Sequence, residues 1–278
     1  MPSRLQARAP LGVFSMLAAE SGMNIIVCVK AVPSHAENPC ITNDGFNVEV
    51  QSPSYIMNES DEYALEQALA MKKISRATIT VLTVASARSQ DMLYRCLAKG
   101  ADAAVRVDGE EFDPNVISLK LSRAFRKLGY DLILTGVESS DGMSSQVAVS
   151  LAACLDIPFA YAVTKIDAAH DGAVIVDREL GSGRYQTLKI ATPALLCIQS
   201  GTATLSYPAA VKLMQARKKA IPCLTLSDLE ITADQLASQR KIRLVKIETR
   251  KTGAAIKWLS GTAENIAEEI CHRIRKVV

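Results

Sequence analysis

Short apolar runs alternate with longer segments of helical periodicity from residue 23 onward. The first run, 24–32, is largely apolar and ends at Pro33, as is typical of a strand buried on both faces of a parallel sheet. This run and similar ones predict strands at 24–32, 77–84, 103–107 and 131–136, and the segments between them predict helices at 60–73, 91–99 and 114–128. The alternation predicts βαβ units and a doubly wound parallel sheet with helices on both faces.

The first of these helices carries the clearest end signals. Asn58 or Ser60 can cap its N-terminus, and Asp61 and Glu62 fall in the first turn, where the helix dipole favours acidic side chains. Upstream, the sequence Asn43-Asp44-Gly45 predicts a hairpin turn between two short extended pieces.

The pattern changes after residue 158, where four short β-type runs follow one another. We expect these runs to add antiparallel strands to the edge of the sheet. Further helices are predicted at 209–220 and 263–276. The segment between them, 221–260, has little core-like pattern, so we expect it to pack on something other than the core of this chain.

Composition and charge are those of an ordinary globular protein, with 49% hydrophobic residues, 22% charged residues and a net charge of +3. The near balance of charges argues against a dedicated nucleic-acid binder, and no apolar run approaches the roughly 18 residues that cross a bilayer. Seven scattered cysteines without a CxxC pair exclude a zinc ribbon and indicate a reducing compartment. Three distant histidines, none in an HExxH spacing, argue against a metal hydrolase.

The first 22 residues are set apart from this pattern, and three interpretations of them stay open. Arg4 and Arg8, with no acidic residue before Glu20, fit a mitochondrial-type transit peptide. A disordered or misassigned start is the second interpretation. A secretory signal is the third, although Gly12 and Ser15 interrupt its apolar segment.

Ligands of an open parallel sheet bind beyond the carboxyl ends of its strands, near the point where the strand order reverses. The residues that follow the predicted strands are therefore candidates for a binding site, namely 30–33, 84–88 and Gly136 onward. The last of these is the most informative, since a loop rich in Gly, Ser and Asp leads there into a helix predicted at 145–155.

The free N–H groups at the start of that helix, near Ser145, attract an anion, and a phosphate fits. Gly136 lets the backbone turn sharply as it leaves the strand. Asp141 would repel phosphate, so we expect it to orient the loop or to meet a ribose hydroxyl. A well-capped connection without a ligand stays open, and the sequence has neither a GxGxxG nor a GxxxxGK[ST] motif.

Five segments together resemble the β subunit of electron transfer flavoproteins. They are MNIIVCVKAVP, NESDEYALEQALAMK, LAKGAD, DLILTGVESSDGMSSQV, and the late block DRELGSGRYQTLKIATPALLCIQSG with YPAAVKLMQARKKAI. Their order and spacing match the family from residue 23 to about residue 221. Each segment is weak alone, whereas all five in order are specific.

The resemblance implies a Rossmann-like, adenine-nucleotide-binding α/β domain at 23–221 with added antiparallel strands. It also implies an N-terminal extension at 1–22 and an extended C-terminal arm at 222–278 that packs on a partner α subunit. The α subunit holds the electron-carrying FAD, and the β chain binds AMP or, in electron-bifurcating members, a second FAD. Such a heterodimer carries electrons between dehydrogenases, as in fatty acid oxidation, and a membrane quinone reductase or another acceptor.

By the same resemblance the chain is an electron carrier subunit rather than an enzyme, with no catalytic residue and no metal. It contacts no nucleic acid, and it reaches a membrane only through a quinone oxidoreductase. The compartment is the cytoplasm of a bacterium, or the mitochondrial matrix in a eukaryote.

Residues of the nucleotide site are assigned by matching position in the family segments. The set is Cys28, Asn58, Glu59, Ser60, Asp61, Val84, Gly136, Val137, Glu138, Ser139, Ser140, Asp141, Gly142, Met143, Ser144, Ser145, Gln146 and Val147.

The loop 141–147 departs from the family patterns in a way that leaves the nucleotide open. It lacks the acids and the Asn-Gln-Thr of the AMP type and is nearer to the DGDTAQVG of FAD-binding members. However, Met143 replaces the second Asp of that pattern and Ala148 its final Gly. Both AMP and FAD therefore remain expected occupants.

A second departure concerns docking to dehydrogenases. The family presents a leucine before the ARKK run, and the matching position here is Ala210. Loss of that apolar anchor would cost about 2 kcal/mol in the same docking mode. A neighbour such as Leu205, Tyr207 or Val211 would have to substitute, so Tyr207, Ala210 and Val211 are the expected docking residues.

Functions from other classes are less consistent with the sequence. An adenylating α/β enzyme would need a phosphate loop such as SGGxDS, which is absent. A nucleotide-binding stress-sensor module without a flavoprotein partner would end near residue 160 and leave the late block unexplained.

Overall fold

The computed structural model describes residues 22–34, 40–42, 48–49, 55–170, 172–248 and 258–276. The strands are β1 (Asn24–Cys28), β2 (Ala31–Pro33), β3 (Cys40–Ile41), β4 (Val48–Glu49), β5 (Tyr55–Met57), β6 (Thr78–Ala85), β7 (Ala103–Asp108), β8 (Leu132–Gly136), β9 (Phe159–His170), β10 (Ala173–Gly181), β11 (Arg184–Ala191), β12 (Ala194–Ile198) and β13 (Cys223–Leu224). The helices are α1 (Glu59–Ile74), α2 (Gln90–Lys99), α3 (Pro114–Leu128), α4 (Val147–Leu155), α5 (Ala210–Ala216), α6 (Ala233–Gln239) and α7 (Ala263–Arg275).

Nine strands form one sheet in the order β11-β10-β9-β12-β8-β1-β6-β7-β13. Seven of these strands run parallel to one another, namely β9, β12, β8, β1, β6, β7 and β13. At one end of the sheet, β10 pairs antiparallel with β9, and β11 pairs antiparallel with β10. The chain builds outward from β1 through β6 to β7 and then returns to β8 on the other side of β1. The strand order therefore reverses between β1 and β8, which is where such sheets bind ligands.

The core lies on both faces of this sheet because its central strands are apolar on both sides. In β1, Ile25 and Val27 pack with α1 and α2, whereas Ile26 packs with α3 and α4. The doubly wound α/β class predicted from the sequence is confirmed, and the predicted helix 114–128 coincides with α3.

Two strand predictions need correction. The predicted strand 24–32 is interrupted, since β1 ends at Cys28 and β2 pairs with β5 in a separate small sheet. The expectation that all four late runs lie antiparallel at the edge holds for β10 and β11 but is wrong for the other two. β12 inserts between β8 and β9 and runs parallel to both, so β9 is antiparallel only to β10. All five residues of β12 are buried, which fits its uninterrupted apolar sequence.

Part of the segment expected to pack elsewhere lies in this chain's own core. β13 pairs with β7, and Leu224 of β13 is buried in the same core cluster as Leu229 and Ile231. The α6 helix begins with a capping box formed by Thr232 and Gln235. The division at residue 221 stays a prediction, as do the interpretations of the N-terminal extension. Nearly all of that extension, and the turn Asn43-Asp44-Gly45, lie outside the described residues.

No helix in the described ranges is long and apolar enough to cross a membrane. Within the same ranges, no group of three or more His, Cys, Asp or Glu side chains is arranged to hold a metal ion.

Gly136, the last residue of β8, is required by the close approach of α1. A Cβ at this position would lie 2.5 Å from Asp61 Oδ1 and 2.8 Å from the Asp61 backbone nitrogen. We expect Gly136→Ala to lower the free energy of unfolding by about 1–3 kcal/mol, because the first turn of α1 must move away from the sheet. Urea titration measures this change. Gly142→Ala is the matched control, since its nearest neighbour would be 3.3 Å away, and an equal loss in both variants would contradict the packing argument.

Candidate nucleotide-binding site

A cavity of about 510 Å³ opens at the carboxyl ends of β1 and β8, at the point where the strand order reverses. Most of the residues assigned from the sequence line it. The assigned residues that do not line it are Glu59, Ser60, Ser140 and Met143. The other assigned residues therefore share one cavity, while their role in binding a ligand stays a prediction.

Asp61 joins the two strands that border the cavity. Its Oδ2 accepts the backbone N–H of Lys30 at 2.9 Å, and its Oδ1 accepts the backbone N–H of Gly136 at 3.0 Å. Lys30 follows β1 and Gly136 ends β8, so one carboxylate at the start of α1 bridges both strand ends. Burial raises the pKa of Asp61 to about 7, although both N–H donors act in the opposite direction.

Asn58 occupies the N-cap position of α1, but its side chain does not cap the helix. Its Nδ2 donates to the carbonyl of Glu138 at 2.7 Å, and its Oδ1 accepts the N–H of Ser140 at 3.1 Å. The Ser60 hydroxyl donates to the same Glu138 carbonyl at 2.7 Å. The prediction that the side chain of Asn58 or Ser60 caps α1 is therefore wrong, because both side chains form hydrogen bonds with the loop after β8 instead.

Lys30 adds a positive charge to the cavity that the residue assignment missed. Its Nζ lies 2.7 Å from Asp141 Oδ1 and 3.3 Å from the Ser139 hydroxyl. The ion pair balances the carboxylate that was expected to repel a phosphate. Lys30 lies within the range 30–33, which was a candidate for the site because it follows the first strand. No motif, however, indicated a role for its side chain.

The helix after the loop begins two residues later than predicted. Ser145 (φ 50°) and Met143 (φ 46°) adopt left-handed backbone conformations, and α4 begins at Val147 with Gln146 at the N-cap position. A left-handed residue cannot continue a right-handed helix, so the loop makes a separate turn first. The free N–H groups of the helix start therefore lie at Val147 and beyond, while the Ser145 hydroxyl donates to Glu138 Oε2 at 3.1 Å.

A wall of mainly apolar side chains, which also includes Glu111, completes the lining of the cavity. Phe112 from the loop before α3, Ile117 and Leu121 from α3, and Ile242 from the C-terminal segment line it. Phe112 is 52% exposed and Ile242 is 39% exposed, so both offer apolar surface to a ligand. No sequence motif indicates this wall, because its residues come from two segments that lie far apart in the chain.

The three predicted docking residues do not line the cavity. Tyr207 is 87% exposed, and Val211 is exposed on α5, whose first residue is Ala210. The loop that presents Tyr207 is fixed from α1, where Glu66 accepts the N–H of Ser206 at 2.9 Å and its hydroxyl at 2.6 Å.

Comparison with known proteins gives one consistent result. The family model described as "Electron transfer flavoprotein domain" matches residues 46–229. The chain is 31% identical over 261 residues to the electron transfer flavoprotein subunit beta of Methylophilus methylotrophus, which covers 91% of this chain and 98% of the relative. The subunit beta of Bacillus subtilis is also 31% identical, with 91% and 98% covered. A probable subunit beta of Saccharomyces cerevisiae is 26% identical, with 94% and 99% covered.

The raised pKa of Asp61 gives a prediction for stability. The ordinary pKa of this side chain is 3.8, whereas its pKa in the folded chain is about 7. Between these pH values the folded chain therefore binds one proton more than the unfolded chain. This group's stabilising contribution is present in full below pH 3.8 and is lost as the pH rises through 7. We expect Asp61→Asn to flatten the fall of the unfolding free energy between pH 4 and pH 7, measured by urea titration at several pH values.

Glu230→Gln is the control for that experiment, because Glu230 is an exposed carboxylate paired with Lys127 on the surface. It should leave the pH dependence as in the wild type. An Asp61→Asn variant with an unchanged slope would show that the buried carboxyl does not titrate in this range.

Proposed function

The chain belongs to the electron transfer flavoprotein family, as one of its β subunits, and from this premise we propose that its cavity holds the adenylate part of AMP or of a second FAD. A β subunit has an α subunit as its partner, and flavin is associated with that heterodimer. The flavin carries the electrons when it is bound. This chain's residues bind the nucleotide and shape the surface that meets the partners.

The combination of Lys30 and a helix start with a set of apolar side chains in the lining of one cavity is the observation that supports this proposal. Lys30 and the free N–H groups at the start of α4 would hold the phosphate. Asp141 or the nearby serine hydroxyls would meet the ribose, and the wall that includes Phe112 would contact the base. Gly136 keeps the backbone of β8 close to α1, so the loop after β8 can border the site.

Partner contacts are proposed from the exposed apolar surface of the C-terminal half. The α7 helix has no buried residue, and Ile266, Ile270 and Ile274 recur along one face at helical spacing. Trp258, before this helix, is 85% exposed. These side chains would pack on the α subunit.

Docking to electron donors is proposed for the loop before α5. Tyr207 is the large exposed side chain there and would replace the leucine of the family, since Ala210 offers little apolar surface. The donors would be dehydrogenases, with a membrane quinone reductase or another acceptor downstream.

The nucleotide content of the complex tests the proposed function. We expect coexpression with an α subunit from the same source to give a copurifying heterodimer. After denaturation, chromatography of the released ligands should give either one FAD and one AMP, as in a plain carrier, or two FAD, as in a bifurcating member. One FAD with no second nucleotide would overturn the assignment of the cavity.

A negative charge beside the start of α4 should expel the nucleotide. We expect Ser145→Asp to reduce bound AMP or FAD at least 10-fold, because the new carboxylate would repel phosphate in a partly desolvated site. Ser145→Asn is the matched control, since Asn and Asp both tolerate the left-handed backbone at this position. Equal nucleotide content in the two variants, measured after purification, would contradict a phosphate at this place.

A further inference from the structure

The C-terminal segment reaches the cavity at Ile242 and is held there by two acidic residues with buried side chains. Asp113, at the N-cap position of α3, is fully buried, and its Oδ2 accepts the backbone N–H groups of Lys241 at 2.7 Å and of Ile242 at 2.8 Å. Its Oδ1 accepts the N–H of Asn115 at 2.9 Å and so caps α3 as well. One carboxylate therefore fixes both the start of α3 and the segment 240–242.

A second attachment lies directly beside the first. The guanidinium of Arg240 binds Glu111 through two hydrogen bonds, of 3.2 Å to Oε1 and 2.8 Å to Oε2. The Glu111 side chain is only 7% exposed, and the Arg240 guanidinium carbon lies 6.0 Å from the centre of the Phe112 ring. Because two parallel hydrogen bonds join the groups, the pair fixes the orientation of the Arg240 guanidinium as well as its distance from Glu111.

These attachments hold Ile242 in the lining of the cavity, to which Phe112 also belongs. Burial would raise the pKa of Asp113, but the N–H donors of Ile242, Asn115 and Lys241 lower it below its usual value. The carboxylate therefore stays ionised at neutral pH, and the attachment persists there.

We propose that residues 240–242 form a strap that closes the apolar part of the cavity over a nucleotide base, with Asp113 as the positioning residue of the strap. This inference rests on the proposed function, because it takes the base of an adenine nucleotide to lie against Ile242. The strap belongs to the arm that the family places on the α subunit.

Two variants of the full chain test the strap, with AMP and FAD as the probes. We expect Ile242→Ala to raise the dissociation rate of the bound nucleotide about 5- to 10-fold, because it removes apolar contact from the base. Val245→Ala is the matched control, since Val245 lies on the same segment, is 70% exposed and does not line the cavity. It should change the rate less than twofold.

Amide hydrogen exchange gives a readout that a loss of overall stability would not mimic. In the nucleotide-free wild type, the amides of Lys241 and Ile242 should exchange more slowly than those of 244–246, and added AMP or FAD should slow them further. Asp113→Asn should remove this local protection and speed nucleotide release, because the amide group that replaces Oδ2 cannot accept the N–H groups of Lys241 and Ile242. The remaining Oδ1 can still cap α3, and the melting temperature is recorded to check that the fold is kept.

The outcomes separate the two proposals. Equal dissociation rates for Ile242→Ala and Val245→Ala in a chain that binds nucleotide would overturn the strap and leave the proposed function standing. A wild type that binds neither AMP nor FAD would overturn both. Unprotected amides at Lys241 and Ile242 would overturn the anchoring role of Asp113, whatever the nucleotide content.

Discussion

The carboxylate of Asp61 is the contact on which the rest of the site depends. Two parallel strands that end side by side leave backbone N–H groups without a partner in the sheet, and these groups must be satisfied where the strand order reverses. Asp61 accepts one such group from Lys30 and one from Gly136. Because the same residue belongs to the first turn of α1, the helix is tied to both strands. The glycine at 136 follows from this geometry, since any side chain there would occupy the place of the carboxylate.

From that fixed point the cavity is built by segments far apart in the sequence. The start of α1 holds the loop after β8 through Asn58 and Ser60, and the start of α3 holds the C-terminal segment through Asp113. In each case a polar side chain at the start of a helix binds backbone groups of another segment. The site is thus held largely by hydrogen bonds to the backbone, which fix position without depending on the neighbouring side chains.

The sequence predicted well what depends on local pattern. The α3 helix runs from Pro114 to Leu128 as expected, because its first proline, its apolar spacing and the glycine that follows it, Gly129, agree. Features that depend on tertiary contact were missed. The strand β12 lies inside the sheet between β9 and β8, but its five apolar residues predict only that it is buried, not which strands flank it. The left-handed backbone at Ser145 likewise makes α4 begin later than predicted. The apolar wall that includes Ile242 forms only because the C-terminal segment packs against the start of α3, and no periodicity in the sequence predicts this contact.

The central position of β12 also bears on the alternatives to a flavoprotein subunit. A stand-alone nucleotide sensor ending near residue 160 would expose the edge of β8, whereas here β12 covers that edge and carries β9 beyond it. The late block is therefore part of the sheet that forms the cavity. The α1 helix contacts both the cavity and the loop before α5. Asp61, in its first turn, lines the cavity, and Glu66, more than one turn later, binds Ser206 beside the exposed Tyr207. A single helix thus supports both the proposed nucleotide site and the proposed docking loop, so their relative position is set within this chain.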